Sequence, residues 1–242
     1  MNESTGLTQI IPIDATLPPR ITLLRGVAPA LSPDAFARWA VLCAANPRFH
    51  DGPILSVVSI EPDASEITVR RDRYARLAVQ PQVHTGVRLL GVTAVLTASD
   101  AAGRVHVLLA RRGEQVRLYA GLWELGPSGG VACPAGDTAE LGFDDLLRSL
   151  ADEIEEEVGL SPPVSPRVVA IARDHRAMSD DVVITGDMGS LEAASEAMRT
   201  SAWEYREACW IPLDTLAAFD STNEIIAPSR GIMRLLGWIP GA

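Results

Sequence analysis

The chain has 242 residues, 47% of them hydrophobic and 21% charged, which is the composition of a globular protein rather than a disordered one. Acidic residues outnumber basic ones by 31 to 21, and the net charge of −10 argues against a nucleic-acid binder or a protein of anionic membrane surfaces, because phosphate attraction needs a basic face. Every basic residue is an arginine, so no lysine is available for Schiff-base chemistry or a P-loop.

The cysteines and the apolar segments bear on the cellular compartment. Cys43, Cys133 and Cys209 are widely spaced and form no CxxC pair, so neither a disulfide framework nor a cysteine zinc site is supported. The first twenty residues lack the basic flank and apolar core of a secretory signal, and no apolar run is long enough to span a membrane. We therefore expect a cytoplasmic protein that binds neither nucleic acid nor a membrane.

Residues 1–85 predict an N-terminal extension built of one helix and a β-hairpin. Prolines before Ser32 favour extended chain there, with one or two strands. Ser32, followed by a proline, is typical of a helix start, and Asn46-Pro47 of its end. The β-rich runs Ile54 to Ile60 and Glu66 to Arg71 flank a turn and predict the hairpin.

Residues 86–242 predict a second unit in which strands and helices intermix, as in a layered α/β or α+β domain. A glycine-rich turn, Gly126 to Gly130, precedes the strongest helix of the chain, Phe143 to Val158. The other predicted strands are Val87–Leu96, Val105–Arg111, Val168–Ala172, Val182–Thr185 and a run ending at Trp210-Ile-Pro; the other helices are Leu191–Arg199, Asp214–Phe219 and Ser229–Leu236.

The helix from Phe143 to Val158 has a clear apolar stripe. Leu147, Leu150, Ile154 and Val158 recur at three- and four-residue steps, which predicts one buried face. Gly159-Leu160 then supplies a left-handed cap and the apolar contact that often follows it.

The last two turns of this helix are crowded with acids. Asp152, Glu153, Glu155, Glu156 and Glu157 oppose the helix macrodipole, at a cost of about 0.3–1 kcal/mol for each exposed charge. Like charges four residues apart add about 0.2–0.5 kcal/mol per pair. No arginine lies three or four residues from Glu153, Glu156 or Glu157, so local sequence leaves these three uncompensated.

A divalent cation would reverse the sign of this arrangement. Glu153, Glu156 and Glu157 occupy positions i, i+3 and i+4, which lie close together on a helix surface. Carboxylate oxygens suit Mg²⁺ or Mn²⁺, which also take phosphate oxygens of a substrate. The charges alone leave a second interpretation open, a solvated acidic face without a ligand.

The segment from Asp152 to Leu160 resembles the second half of the Nudix box, which reads Arg-Glu-apolar-x-Glu-Glu-x-Gly-apolar in that hydrolase superfamily. Asp152 stands where the family has arginine. Gly129-Gly130 resembles the family's Gly-Gly, and Gly136-Asp137 its Gly-Glu. Asp137 to Asp152 spans fifteen positions where the family has eight, so we infer an insertion before the helix.

The resemblance implies a Nudix-type α/β/α sandwich with a mixed sheet over residues 86–242. It further implies a Nudix pyrophosphohydrolase that uses Mg²⁺ or Mn²⁺ to cleave a nucleoside diphosphate linked to another moiety. Glu153, Glu156 and Glu157 would be its metal ligands and catalytic residues, with Glu153 the first candidate for the general base. We expect Gly129, Gly130 and Arg112 to contact the small nucleotide substrate. The segments Asn46–Gly52 and Ile67–Tyr74 resemble a UDP-sugar-cleaving branch and favour a nucleotide-sugar.

Other interpretations stay open. Loss of the box arginine at Asp152 also suits a catalytically degenerate Nudix-fold protein that binds a nucleotide and regulates, and the N-terminal extension suits a homodimer. An isomerase would need a pocket cysteine, for which Cys133 is the candidate. We expect Asp180-Asp181 to form a turn, and Glu204 and Glu207 to be ordinary exposed strand residues.

Overall fold

The structure is a computed structural model that describes residues 8–14, 17–136, 138–201 and 203–241. Its strands are β1 (Thr8–Pro12), β2 (Arg20–Leu24), β3 (Pro53–Ile60), β4 (Glu66–Arg73), β5 (Leu89–Ser99), β6 (Val105–Arg112), β7 (Trp123–Leu125), β8 (Ser128–Gly130), β9 (Glu140–Leu141), β10 (Val164–Asp174), β11 (Ser179–Ser190) and β12 (Tyr205–Pro212). The α-helices are α1 (Pro33–Ala45), α2 (Tyr74–Ala78), α3 (Phe143–Val158), α4 (Leu191–Ala197), α5 (Leu216–Thr222) and α6 (Ala227–Leu235), and a 3₁₀ turn covers Leu213–Thr215.

The strands form one mixed sheet with β5 near its centre. β5 pairs in parallel with β11 and antiparallel with β3, β6 and β8. One path through the sheet runs β1-β10-β11-β5-β3-β4-β2-β9, and β6 carries β12 and β7 beside it. Strands from both sides of residue 85 therefore share the sheet, and β5 brings the ends of several strands to one place.

Helices cover both faces of the sheet. Successive side chains of a strand point to opposite faces, and on β5 Ala94 belongs to one apolar cluster while Val95 belongs to the other. Leu150 and Ile154 of α3 lie in the first cluster, and Ile232 of α6 lies in the second. The predicted α/β/α arrangement around a mixed sheet is confirmed.

Helix α3 has the ends and the buried face that its sequence predicts. The backbone N–H of Gly142 donates to Asp145 Oδ2 at 2.9 Å and starts the helix, and Gly159 ends it with a φ of 67°. Leu150, Ile154 and Val158 are all buried against the sheet. No helix in the described ranges has the length and apolarity that a membrane span requires.

The segment between β8 and α3, where the sequence predicts an insertion, docks on the N-terminal strands. β9 of this segment pairs with β2, and Leu23 N donates to Ala139 O at 2.7 Å. Arg71 on β4 donates to Pro134 O at 2.6 Å and to Gly136 O at 2.7 Å. The added residues thus attach the start of α3 to the N-terminal part of the sheet.

Candidate active site

A cavity of about 620 Å³ opens where β5, β8, β11 and α3 meet. One wall comes from the N-terminal segment through Phe49, His50 and Tyr74, and another from the loop between β6 and β7. The charged side chains that line the cavity are Glu124, Glu153, Glu157, Asp174, Asp181 and Glu204, together with Arg48, Arg112 and Arg117. Acids outnumber arginines by six to three, so the cavity has the potential to attract cations.

The side chain of Glu153 lines the cavity and lies against the backbone of Gly129. A Cβ atom added to Gly129 would lie 1.7 Å from Glu153 Oε1, so the carboxylate occupies the space that a side chain on β8 would take. Burial raises the pKa of Glu153 to about 7, and the nearby Glu156 and Glu204 charges contribute to the same shift. The lack of a side chain at Gly129 therefore leaves the space in which this carboxylate lies.

Glu157 is the buried acid of the helix end. Its side chain is 6% exposed, and Oε2 has no hydrogen-bond partner among the described residues. Burial raises its pKa well above the usual range, and the neighbouring Glu153 and Glu204 charges add to the effect. A buried carboxylate oxygen without a partner is costly and is rare in folded proteins, which indicates a group that completes its contacts when bound.

A buried network lies beside Glu157. Arg112 Nη1 contacts Glu124 Oε1 at 2.5 Å, and the hydroxyl of Tyr205 donates to the same oxygen at 2.7 Å. Glu124 is 3% exposed and Tyr205 is fully buried, so both groups are withdrawn from water. Arg112 is the cation that opposes the rise in the Glu157 pKa, which makes it the counter-charge that β6 supplies to the acidic helix end.

Asp181 and Glu204 line the cavity, although the sequence predicts a turn at the first and an ordinary exposed strand residue at the second. Asp180 and Asp181 lie in β11 rather than in a turn. Asp180 is paired with Arg88 and Arg173, whereas burial raises the pKa of Asp181 to about 8, and the nearby Asp174 charge contributes to the same shift. Glu204 is only part-exposed and faces the cavity. The prediction of a turn was wrong because the parallel pairing of β11 with β5 is a long-range contact.

The predicted site residues do not all reach the cavity. Gly129, Gly130, Arg112, Glu153 and Glu157 line it, whereas Glu156 is exposed and is not part of the lining. Asp137 lies outside the described residues. No cysteine is among the described lining residues, and Cys133 Sγ instead accepts a hydrogen bond from Arg71 Nη1 at 3.0 Å.

The chemistry of the donor set suits a divalent cation that binds together with a substrate. Within the described ranges no group of three or more His, Cys, Asp or Glu side chains is arranged as a preformed metal cage. Mg²⁺ in particular is commonly held by one or two carboxylates, with waters and substrate phosphates as the other ligands. The unpartnered oxygen of Glu157 and the carboxylate of Glu153 meet that smaller requirement.

Several solved structures are similar to this chain. The chain is similar to Nudix domains. The Nudix domain of Shewanella oneidensis NrtR, solved with ADP-ribose, is 20% identical over 65% of this chain and 91% of its own, with a TM-score of 0.47. A MutT protein from Methanosarcina mazei Go1 is 23% identical over 62% of this chain and 92% of its own, with a TM-score of 0.43. The predicted resemblance to Nudix proteins is thus found among solved structures.

A third solved structure is also similar to this chain. DR0079 from Deinococcus radiodurans covers 76% of this chain and 99% of its own at 13% identity, with a TM-score of 0.47. All three TM-scores lie below 0.5, so the likeness says nothing of activity. No protein-family model and no curated protein sequence matches the chain.

Proposed function

We propose that this chain is a metal-dependent hydrolase that cleaves the pyrophosphate of a nucleoside diphosphate linked to another moiety. The observation that carries the proposal is the unpartnered, buried Oε2 of Glu157 beside Glu153 in a nucleotide-sized cavity. A pyrophosphate brings concentrated negative charge, and an acidic cavity accepts it only when cations come with it.

Each residue of the site has a role in this proposal. Glu153 and Glu157 would hold Mg²⁺ or Mn²⁺, which when bound would supply charge neutralisation and a more acidic water. Glu153 is the first candidate for the general base that accepts a proton from the attacking water. The backbone at Gly129 and Gly130 allows a phosphate to approach closely, and Arg112 keeps the buried Glu124 neutralised.

Nucleotide-sugars are the favoured substrates. Phe49, His50 and Tyr74 line the cavity, and they belong to the two N-terminal segments whose sequence resembles the UDP-sugar-cleaving branch. Aromatic side chains in a cavity wall suit a base or a sugar ring.

A hydrolysis screen tests the proposal. UDP-glucose, ADP-ribose, NADH and dNTPs are incubated with the protein and Mg²⁺ or Mn²⁺, and phosphate-containing products are separated by chromatography. We expect turnover of at least one diphosphate, reduced about 100-fold or more by Glu157→Gln. Glu155→Gln is the matched control, because Glu155 is exposed on the same helix and does not line the cavity. Equal turnover by the wild type and Glu157→Gln would contradict the proposed site.

A second candidate is a nucleotide-binding regulator with the same fold. It is favoured by Asp152, an acid at the position where the Nudix box has an arginine that orients the carboxylates. Arg148 does not replace that arginine, because it forms an ion pair with Asp145 in the first turn of the helix. Tight binding of a nucleotide without turnover under either metal would select this candidate.

A further inference from the structure

Three of the described residues that line the cavity are arginines, and their guanidinium groups have different partners. Arg112 is paired with Glu124, and the guanidinium of Arg48 lies 4.1 Å from the ring centroid of Trp203. Arg117, on the loop between β6 and β7, donates from Nη2 to Ala177 O at 3.3 Å. Among the described residues no carboxylate lies within ion-pair distance of Arg117.

Asp174 is the acid whose charge acts on Arg117, and both of its carboxylate oxygens already accept hydrogen bonds from other groups. Asp174 Oδ2 accepts the hydroxyl of Tyr119 at 2.6 Å, and its Oδ1 accepts the backbone N–H groups of Arg176 and Ala177 at 2.8 and 3.1 Å. Burial lowers the pKa of Arg117. The nearby Tyr74 and Asp174 act in the opposite direction, but they do not bring the pKa back to its usual value. Arg117 is part-buried and has no ion-pair partner among the described residues, so its guanidinium is available to an anion that enters the cavity.

Tyr74 adds a second donor at the same place. This residue comes from the N-terminal segment, where its ring packs edge-on against Phe49 and Trp39 at centroid distances of 6.2 and 6.1 Å. Tyr74 and Arg117 both line the cavity, and the Arg117 charge acts against the rise in the Tyr74 pKa. Burial raises the pKa of Tyr74, so the hydroxyl stays protonated and able to donate.

We infer that Arg117 and Tyr74 bind a phosphate group of the nucleotide substrate at a subsite separate from Glu153 and Glu157. The phosphate as ligand class rests on the proposed function. A guanidinium presents five N–H donors in a planar fork that matches phosphate oxygens, and one carbonyl bond uses only a small part of that capacity. Arg117 lies on the loop between β6 and β7 and Tyr74 begins α2, whereas Glu153 and Glu157 lie on α3, so different elements of the cavity wall carry the two pairs.

Binding without metal isolates this subsite. EDTA removes the divalent cation through which the acids would bind a phosphate. In EDTA, UMP and AMP are therefore titrated by calorimetry beside uridine and adenosine, which lack the phosphate, and beside inorganic phosphate. The variants are Arg117→Met, Arg117→Lys and Tyr74→Phe, with Arg206→Met as the control that removes an exposed arginine paired with Glu114. Thermal unfolding shows which variants are folded.

We expect UMP or AMP to bind the wild type and the control alike, and Arg117→Met to weaken that binding about 10- to 100-fold, the range for a lost charge-assisted bond. Arg117→Lys should lose less, and nucleoside binding should not change. Binding of inorganic phosphate as tight as that of UMP would assign the subsite to a free anion and overturn the substrate contact. The proposal would also be overturned if Arg117→Met or Arg117→Lys bound the nucleotide as tightly as the wild type does. It would equally be overturned if a variant lost nucleotide and nucleoside binding to the same extent, or if the wild type bound no nucleotide.

The outcome is independent of the hydrolysis screen. If UMP binding depends on Arg117 but no diphosphate is turned over, the phosphate subsite is supported and the proposed hydrolase function is contradicted. If folded Arg117→Met or Arg117→Lys turns over the substrate with an unchanged KM, the subsite is contradicted and the hydrolase function is supported.

Discussion

Replacing Gly129 by alanine tests whether the position of the Glu153 carboxylate matters. The new Cβ would lie 1.7 Å from Oε1 and 2.0 Å from Cδ of Glu153, whereas real Cβ contacts essentially never fall below 3.0 Å. The carboxylate must therefore move by roughly 1.3 Å or more, the difference between these two distances.

The expected effect falls on catalysis rather than on folding. A misplacement of about 1 Å at a reacting group costs on the order of 100-fold in rate. Glu153 is a flexible, part-exposed side chain that can turn aside, and Gly129 does not have a positive φ, so we expect stability to change by less than about 1 kcal/mol.

Gly130→Ala is the comparison variant for this experiment, because it adds a methyl group beside the proposed phosphate approach, as Gly129→Ala does, but does not displace Glu153. Its Cβ would meet only Leu89 Cδ1, at 3.6 Å, which is an ordinary contact. The assay is kcat/KM with Mn²⁺ on the substrate that the screen identifies, with thermal unfolding of both variants. If Gly129→Ala keeps the activity of Gly130→Ala while folded, the assignment of Glu153 to the reaction is refuted.

Three further variants test burial and charge. Burial raises the pKa of Asp181 to about 8, so the folded protein keeps a proton that the unfolded chain releases above about pH 4, and stability is lost as the pH rises between these values. Asp181→Asn should therefore raise the Tm relative to the wild type at pH 8.5 but not at pH 4, and an equal change at both would contradict the shift. Tyr205→Phe removes the 2.7 Å hydrogen bond to buried Glu124 and should cost about 1–3 kcal/mol in urea unfolding; no loss would mean that water replaces the hydroxyl. Ile154→Ala should cost about 2–5 kcal/mol in the same measurement, because the side chain is fully buried in the core under α3, and a cost below 1 kcal/mol would contradict that packing.

Helix α3 shows how much of the fold the sequence determines alone. Its bounds, its glycine cap and the burial of Leu150, Ile154 and Val158 follow from apolar spacing and end signals that act within a few residues. The α/β class and most strand positions were predicted on the same local grounds. The box-like segment at the helix end carried the likeness to Nudix domains, and its acids directed attention to Glu153 and Glu157.

The composition of the cavity was decided by tertiary structure. An α-helix turns 100° per residue, so Glu156 and Glu157 lie on opposite sides of Glu153, and only the packing of α3 on the sheet determines that Glu157 is buried while Glu156 faces solvent. The pairing of β11 with β5 brings in Asp181, and the loop between β6 and β7 brings Arg117 to Tyr74, 43 positions earlier in the chain. These contacts depend on long-range strand pairing, which residue spacing along the chain does not encode.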